Sequence, residues 1–510
     1  MGREDQIINE RLRKLKELRI SGVNPYAHKF DKKNSTKELQ DLYKKLKNDE
    51  SSKSKGKVAG RLMIKRNMGK LAFATLQDGT GKIQIILRKG DTPDKVFELF
   101  KKYVDAGDFI GCEGTMLKTQ RGEVSILVKK LELLTKSINP LPEKFHGLQD
   151  EDDRLRKRYL DILMNPEIKE MFVRKAKFWQ TIRNFLVEND FLEVATPVLE
   201  TSAGGAAASP FATHHNALDM DVFLRISMGE LWQKKLMVAG YDKTFEIGRQ
   251  FRNEGMDADH LQDYTQMEFY WAYADYNDGM KLVQELYKKL AKEVWGTTKF
   301  ERSGHKFDLS KEWKIIDYAS EIKKQTKIDI WKATSKEMGE KLKALGEEVK
   351  PNQDKWRLVD LLWKHCRRNI AGPAFLTGQP VDVSPLAKRN PEDPKTVEQF
   401  QPILAGSEIG NGYSELNDPE DQASRFEEQR KLKEAGDDEA HEHDESFIEA
   451  LKHGMPPTCG FGTSDRLFSF LEGKPIRETV IFPLMKPEEK VLSNKQKKKL
   501  AKAQKQNNKQ

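Results

Sequence analysis

Residues 245–271, FEIGRQFRNEGMDADHLQDYTQMEFYW, constrain this chain more than any other stretch. Phe245, Ile247 and Phe251 bound one β-prone arm, and Tyr264, Met267, Phe269 and Trp271 the other, with charged residues between them. The pattern predicts a strand, a polar loop and a second strand, a hairpin able to hold a flat ligand over its surface. Strand alternation places Arg252 and Glu254 two apart on one face, so a cation for phosphate and a carboxylate for an amine project the same way. His260 adds a hydrogen-bonding imidazole, and Tyr264 a ring that stacks on a base. A surface hairpin with solvated charges satisfies the same pattern, so the rest of the chain has to decide.

The 510 residues suffice for two or three domains with a large buried core. A charged fraction of 33% and a net charge of +9 suit a polyanionic partner such as RNA without requiring one. Cys112, Cys366 and Cys459 are far apart, with no C-x-x-C spacing, which argues against a disulfide framework or zinc site and for a reducing, cytoplasmic setting. No apolar run reaches the length of a membrane span, and the N-terminus has no apolar signal core, so a soluble protein is expected.

Residues 1–56 read as a helical extension and linker. Ile8, Leu12 and Leu15 share a helical face, with Arg11, Arg13, Lys14, Lys16 and Arg19 around it as a solvated, basic surround. A short helix near 36–47 precedes a polar linker at 48–57. From 57 to 139 the pattern changes to short strands: Val58, Leu62 and Ile64 alternate, 71–76 follows, and Asp78-Gly79-Thr80-Gly81 turns the chain into 82–88. A helical stretch carrying Val96, Phe97 and Phe100 separates these from strands at 108–118 and 123–128. Five strands with a helix between the third and fourth is the order of an OB-fold barrel, which binds single-stranded RNA by stacking and edge contacts. Alternation exposes Gln84 between Ile83 and Ile85, whereas Phe73 reads equally as core.

Residues 140–160 form a Pro-bounded polar connector, and 161–489 a second domain. Phe172, Ala176, Trp179, Ile182, Phe185 and Leu186 recur at helical spacing before FLEVATP at 191–197, which predicts a helix followed by an edge strand in which Pro197 is tolerated. Trp356, Leu358, Leu361 and Leu362 belong to a helical insertion of undetermined role.

Arg252-Asn253-Glu254, the loop, His260 and 264–268 resemble motif 2 of the class II aminoacyl-tRNA synthetases. Residues 191–197 with the preceding helix resemble motif 1, and PPTCGFGTSDR at 456–466 resembles motif 3. Within the class the chain is most similar to the lysyl-tRNA synthetases, from about Lys57 to Pro487. The resemblance implies an α+β multidomain protein: an N-terminal OB-fold barrel that reads the anticodon, and a class II antiparallel-sheet catalytic domain flanked by helices. It further implies a homodimer that uses L-lysine, ATP and tRNA(Lys), with Mg2+ as the accompanying ion.

Residue roles follow from the same resemblance. Arg252 and Arg466 are the catalytic cations; Arg252, Glu254, His260, Tyr264 and Arg466 bind ATP, with tyrosine where the family usually has phenylalanine. Gly205, Glu230, Arg252, Glu268, Tyr270, Asn411 and Glu415 bind lysine, Glu415 and Tyr270 at its ε-ammonium. A carboxylate at the pocket's end selects a cation, because a neutral or acidic side chain leaves it buried and unpaired. Glu408 matches one magnesium ligand, and the other falls on Gln401, a neutral donor, which implies a loosened site. Phe73, Gln84 and Glu123 match anticodon contacts. Motif 3 lacks its third glycine and runs one residue short, and an extra residue in Ser227-Met228-Gly229 precedes Glu230.

Other stretches carry less. TSAGGAAASP at 201–210 is a linker by composition and, within the resemblance, a loop closing over the amino acid. GDDEAHEHDE at 436–445 reads as a solvated acidic loop, and 490–510 as a disordered basic tail. Two competing functions remain at this point: an aspartyl or asparaginyl enzyme of the same class, against which Glu415 argues, and a non-catalytic RNA-binding or regulatory relative.

Overall fold

The computed structural model describes residues 2–142, 150–202, 208–350, 353–434 and 444–488, and these fall into two compact units, Met1–Arg154 and Leu155–Gln510. In the first, strands Ser51–Met68, Leu71–Gln77, Lys82–Arg88, Val124–Thr135 and Phe109–Lys118 follow one another around a closed barrel. The circuit closes through a parallel pairing of the third strand with the fifth. Alternation along Leu71–Gln77 buries Ala72, Ala74 and Leu76 and leaves Phe73 and Thr75 on the outer face. The barrel core adds Val58, Leu62, Ile85, Ile126 and Phe100, the last from the helix Asp94–Tyr103 between the third and fourth strands. This is the OB-fold order expected from the sequence.

Two local expectations for this unit fail. The polar stretch at 48–57 is largely strand, because Ser51–Met68 pairs with Phe109–Lys118 along its first half and, from Arg61 onward, with Leu71–Gln77, the register shifting between Leu62 and Ile64. The N-terminal helix, Arg3–Ile20, buries Arg11, Leu15 and Leu18 and leaves Leu12 exposed. Arg11 belongs to the packed face because its guanidinium donates to Ala106 O at 2.8 Å and Asn139 O at 2.9 Å, which satisfies a cation that hydropathy alone puts in water.

The second unit is built on one sheet with the strand order Lys314–Asp317, Ala374–Thr377, Gln399–Leu404, Asn411–Ser414, Thr458–Ser464, Asp263–Ala272, Lys243–Phe251 and Leu192–Glu193. The pairings are antiparallel except at the two ends. One face is covered by the helices Pro166–Glu188, Tyr276–Leu290 and Asp465–Glu472, and Phe178, Phe269, Tyr287, Phe461 and Phe468 are buried between. Phe400 and Phe461 stack at 5.6 Å on neighbouring parts of that layer. The helices Tyr318–Thr326, Ser335–Ala344 and Lys355–Arg367 form the insertion and share a separate core that includes Leu358 and Leu362.

The central hairpin pairs Lys243–Phe251 with Asp263–Ala272 in unbroken register from Lys243↔Trp271 to Phe251↔Asp263. Met267 and Phe269 enter the core, so alternation sends Gln266, Glu268 and Tyr270 to the other face. Arg252 and Glu254 do not share a strand face as expected, since the strand ends at Phe251 and both lie in the loop. The motif 1 strand is likewise shorter than expected, Leu192–Glu193, with Pro197 beyond it. Among the described residues no helix is long and apolar enough to cross a membrane.

Candidate active site

The uncovered face of the sheet floors a cleft of about 440 Å³. Its lining brings together Arg252, His260, Tyr264, Arg466, Glu230, Glu268, Tyr270, Asn411, Glu415, Glu408 and Gln401, residues drawn from stretches more than two hundred positions apart. Glu254 is not in the lining: its carboxylate accepts from Ser209 N–H at 3.2 Å. Gly205 lies outside the described residues, as do most of the acidic loop at 436–445 and the tail at 490–510.

The floor works because large side chains on one strand face glycines on the next. Glu268 is opposite Gly462, and Tyr270 opposite Gly460. A Cβ on Gly460 would lie 2.1 Å from Glu415 Oε1 and 2.8 Å from Tyr270 Cε1, so only glycine leaves room for that carboxylate. The two motif 3 glycines therefore make space for neighbouring side chains. The absent third glycine does not prevent the turn: Ser464 caps the helix Asp465–Glu472 by accepting from Arg466 N–H.

At the closed end Glu230, Glu268 and Glu415 converge, all at most 7% exposed. Glu230 starts the helix Glu230–Val238 directly after Gly229, whose φ of 65° turns the chain close against Thr196. Tyr413 Oη donates to Glu230 Oε1, and Tyr270 Oη to Glu268 Oε2 at 3.1 Å. Met228 N–H also donates to Glu268, at 3.0 Å. Lys234, one turn along the helix and fully buried, lies 2.8 Å from Glu230 Oε1 and 2.6 Å from Glu415 Oε2. The second contact is an ion pair without hydrogen-bond alignment, as Oε2 has no hydrogen-bond partner.

Burial pushes Glu268 up to about 7, with the charge of Glu230 adding to it and the Met228 N–H, Tyr270 and Gln266 opposing. Burial pushes Glu415 up to about 8 against the pull of Lys234. For Lys234 burial works against the ammonium, but Glu230 and Glu415 outweigh it and hold the amine above its ordinary value. The raised values of Glu268 and Glu415 favour proton uptake by those two carboxylates unless another cation arrives.

The open part of the cleft carries the cations and rings. Arg252 Nε donates to Ile226 O at 3.2 Å, which leaves its terminal nitrogens toward the cavity it lines. Arg466 is 3.9 Å from Asp259 of the hairpin loop, a loose contact. His260 is exposed and paired with Asp257 at 2.8 Å. The Tyr264 hydroxyl accepts from Gln250 Nε2, which fixes the ring at the cleft wall. Asn411 accepts from the buried Gln399 at 2.7 Å.

Both expected magnesium ligands, Glu408 and Gln401, line the cleft. Glu408 accepts from Trp363 Nε1 at 2.6 Å and pairs with Arg367 at 2.8 Å, both from the insertion helix Lys355–Arg367, while Gln401 offers only a neutral amide. Among the described residues no group of three or more His, Cys, Asp or Glu is placed to hold a metal ion. Sequence reasoning missed these partners of Glu408, and it missed Lys234. The spacing of Glu230 and Lys234, one helical turn, was the available signal for the latter.

In the barrel unit Phe73, Gln84 and Glu123 surround a separate hollow of about 450 Å³ with Arg66, Gln40 and Lys82. Gln84 donates to Glu123 and accepts from Ser125 Oγ at 2.9 Å. An aromatic ring, a polar edge reader and cations on one concave surface suit a single-stranded polyanion.

Residues 150–486 match the family model of tRNA synthetases class II (D, K and N), and residues 57–134 that of the OB-fold nucleic acid binding domain. The chain belongs to the class II aminoacyl-tRNA synthetases of that group. It is 42% identical over 491 residues to a lysine–tRNA ligase of Halalkalibacterium halodurans, covering 94% of this chain and 97% of the relative. A lysine–tRNA ligase of Pelotomaculum thermopropionicum is 43% identical over 499 residues, 96% and 97% of the two chains, and one of Bacillus subtilis 42% over 479, 93% and 96%.

Proposed function

We propose that this chain is a cytoplasmic lysine–tRNA ligase that makes lysyl-adenylate in the sheet cleft and passes the lysyl group to tRNA(Lys). The observation that carries the amino-acid choice is the closed end of the cleft, where Glu230, Glu268 and Glu415 present three carboxylates and one already engaged lysine. An aspartate or asparagine side chain brought there leaves those carboxylates without a cation, whereas the ε-ammonium of lysine meets Glu415 and Tyr270. Glu268 and Glu230 receive the α-ammonium, with the backbone near Gly205, and Arg252 and Asn411 the carboxylate.

The lysine carboxylate oxygen then attacks the α-phosphorus of ATP as the bond to pyrophosphate breaks. Arg252 and Arg466 hold the charge that develops on the phosphates, His260 the outer phosphates, and Tyr264 stacks on adenine. Glu254 reaches the adenine amine by giving up Ser209. ATP enters as its magnesium complex, the ion carried by the phosphates as part of the substrate. In the second half-reaction the terminal tRNA hydroxyl attacks the acyl carbon and AMP leaves. No described side chain in the cleft is placed as a covalent nucleophile, so positioning carries this step.

Phe73, Gln84 and Glu123 read the anticodon. A homodimer forms over the motif 1 region, supported by Val187, Leu192, Val198 and Leu199, each between 41% and 54% exposed beside the open sheet edge. The three cysteines, all buried and free, suit a reducing compartment. The test is charging of tRNA(Lys) transcript with lysine, aspartate or asparagine: lysyl-tRNA alone supports the proposal, and aspartyl- or asparaginyl-tRNA overturns it.

A further inference from the structure

Lys234 is the group at the amino-acid pocket with no role so far. It does not line the cleft: it sits behind the carboxylates, 1% exposed, while Glu415 and Glu230 stand between it and the cavity. Glu415 turns Oε2 to Lys234 and Oε1 to the Gly460 side, so the carboxylate touches the fixed ammonium and the cavity at once. A substrate ammonium can therefore bind without displacing Lys234.

The titratable groups around Lys234 and its two carboxylate partners come from several elements. Glu230 lies on its own helix, Glu268 and Tyr270 on Asp263–Ala272, Tyr413 and Glu415 on and after Asn411–Ser414, and Cys459 on Thr458–Ser464. The helix Glu445–Lys452 contributes the uncharged ring of Phe447, 5.7 Å away, and the Tyr413 ring is at 5.5 Å. Lys234 is thus the cation of this cluster, with Glu230 and Glu415 in contact. Three carboxylates less one ammonium leave two negative charges, and lysine brings two ammonium groups to that end of the cleft.

We propose that Lys234 is a built-in counter-ion that sets the pocket's charge to two, matching the two ammonium groups of a diamino acid, and so acts as a positioning and specificity residue for lysine. This rests on the lysine reading above. Without Lys234 the pocket has one carboxylate too many for its substrate. The surplus is a buried charge, relieved by a proton that lysine binding must then expel. With Lys234 the substrate completes the balance and Glu415 stays oriented.

The experiment is lysine-dependent ATP–pyrophosphate exchange from pH 6.5 to 9 with saturating ATP, on the wild type, Lys234→Met and Lys234→Arg. Exchange by the wild type with lysine establishes the reading separately; exchange with aspartate or asparagine instead overturns that reading and the counter-ion proposal with it, in a result distinct from any variant effect. For Lys234→Met the expected result is a KM for lysine raised at least about tenfold at pH 7, a smaller change in kcat, and a deficit that shrinks toward pH 9 as the surplus proton leaves. Lys234→Arg keeps the charge and the wild-type pH profile. A wild-type KM at all pH values in Lys234→Met, or a pH-independent deficit shared by both variants, overturns the proposal, because that is the behaviour of a space-filling side chain. Where Lys234→Met does not fold, the charge-balanced Lys234→Met with Glu230→Gln decides. Recovery of folding supports the counter-ion, and a double variant that also fails to fold overturns it; folding alone is the readout, because Glu230 itself receives the α-ammonium.

Discussion

Replacing Gly460 by alanine tests the pocket floor with a single methyl group. The new Cβ falls 2.1 Å from Glu415 Oε1, about 1.3 Å inside the 3.4 Å of an ordinary contact, and 2.8 Å from the Tyr270 ring. Both neighbours are packed, Glu415 at 1% and Tyr270 at 3% exposed, and Glu415 is tied to Lys234, so the strain is not relieved at the surface. The carboxylate has to retreat by about 1 Å. For an ammonium held at about 2.8 Å, that retreat lowers the Coulomb attraction from about 6 to about 4.4 kcal/mol at an effective dielectric constant of about 20. The loss of about 1.5 kcal/mol is a factor of about ten in lysine affinity, and overpacking costs about 1–3 kcal/mol of folding stability besides. The assay is lysine-dependent pyrophosphate exchange together with a thermal melt. The expected outcome is a kcat/KM for lysine reduced about tenfold or more, with the KM for ATP little changed. An unaltered kcat/KM in Gly460→Ala would refute the contact between Gly460 and Glu415 as the reason for glycine here.

Three further outcomes follow from the same geometry. Glu268 and Glu415 are raised by burial from 4.5 to about 7 and about 8, so the stability their neutral forms contribute is complete below about 4.5 and is lost as pH rises through 7 and 8. Lysine supplies the missing cations, so its stabilisation of the protein in thermal melts is larger at pH 8.5 than at pH 6, and a gain that is equal or larger at pH 6 contradicts the ionisation scheme. Phe73→Ala in the barrel hollow raises the KM for tRNA by a factor on the order of ten, the loss of one stacked base, while tRNA-independent exchange continues; kinetics with cognate transcript read this directly. Arg225→Met strands Glu246, which is 2.6 Å from Arg225 and also accepts from Thr196, and denaturant unfolding should show a loss of about 3–5 kcal/mol.

Much of this architecture was legible in the order of the residues, for reasons that differ from place to place. Period-2 alternation marked the barrel strands because one face of each is buried, and the central hairpin because both arms are β-prone and the loop between is charged. It could not mark where that hairpin ends. Arg252 and Glu254 continue the alternation in sequence, but the ladder stops at Phe251, and Arg252 turns to Ile226 O. Hydropathy puts Arg11 in water, whereas carbonyl partners satisfy it inside the fold; residues 48–57 keep mostly exposed side chains, and polarity does not reveal the strand pairing that their backbone makes.

The acidic end of the cleft was recognisable residue by residue through resemblance, but its charge balance was not. Lys234 lies on a helix whose sequence, ELWQKKLMV, offers two adjacent lysines, and only the packing shows that the first is buried against Glu415 and the second reaches Ser446. The same holds for Glu408, whose partners Trp363 and Arg367 come from an insertion about forty residues earlier that the sequence left without a role.

The most direct test of the central claim, that the buried carboxylates choose the amino acid, is ATP–pyrophosphate exchange with magnesium and lysine, aspartate or asparagine in turn. Exchange with lysine alone, sharply weakened in Glu415→Gln, is the predicted result. Exchange supported equally well by aspartate or asparagine, or left intact with lysine in Glu415→Gln, would contradict it.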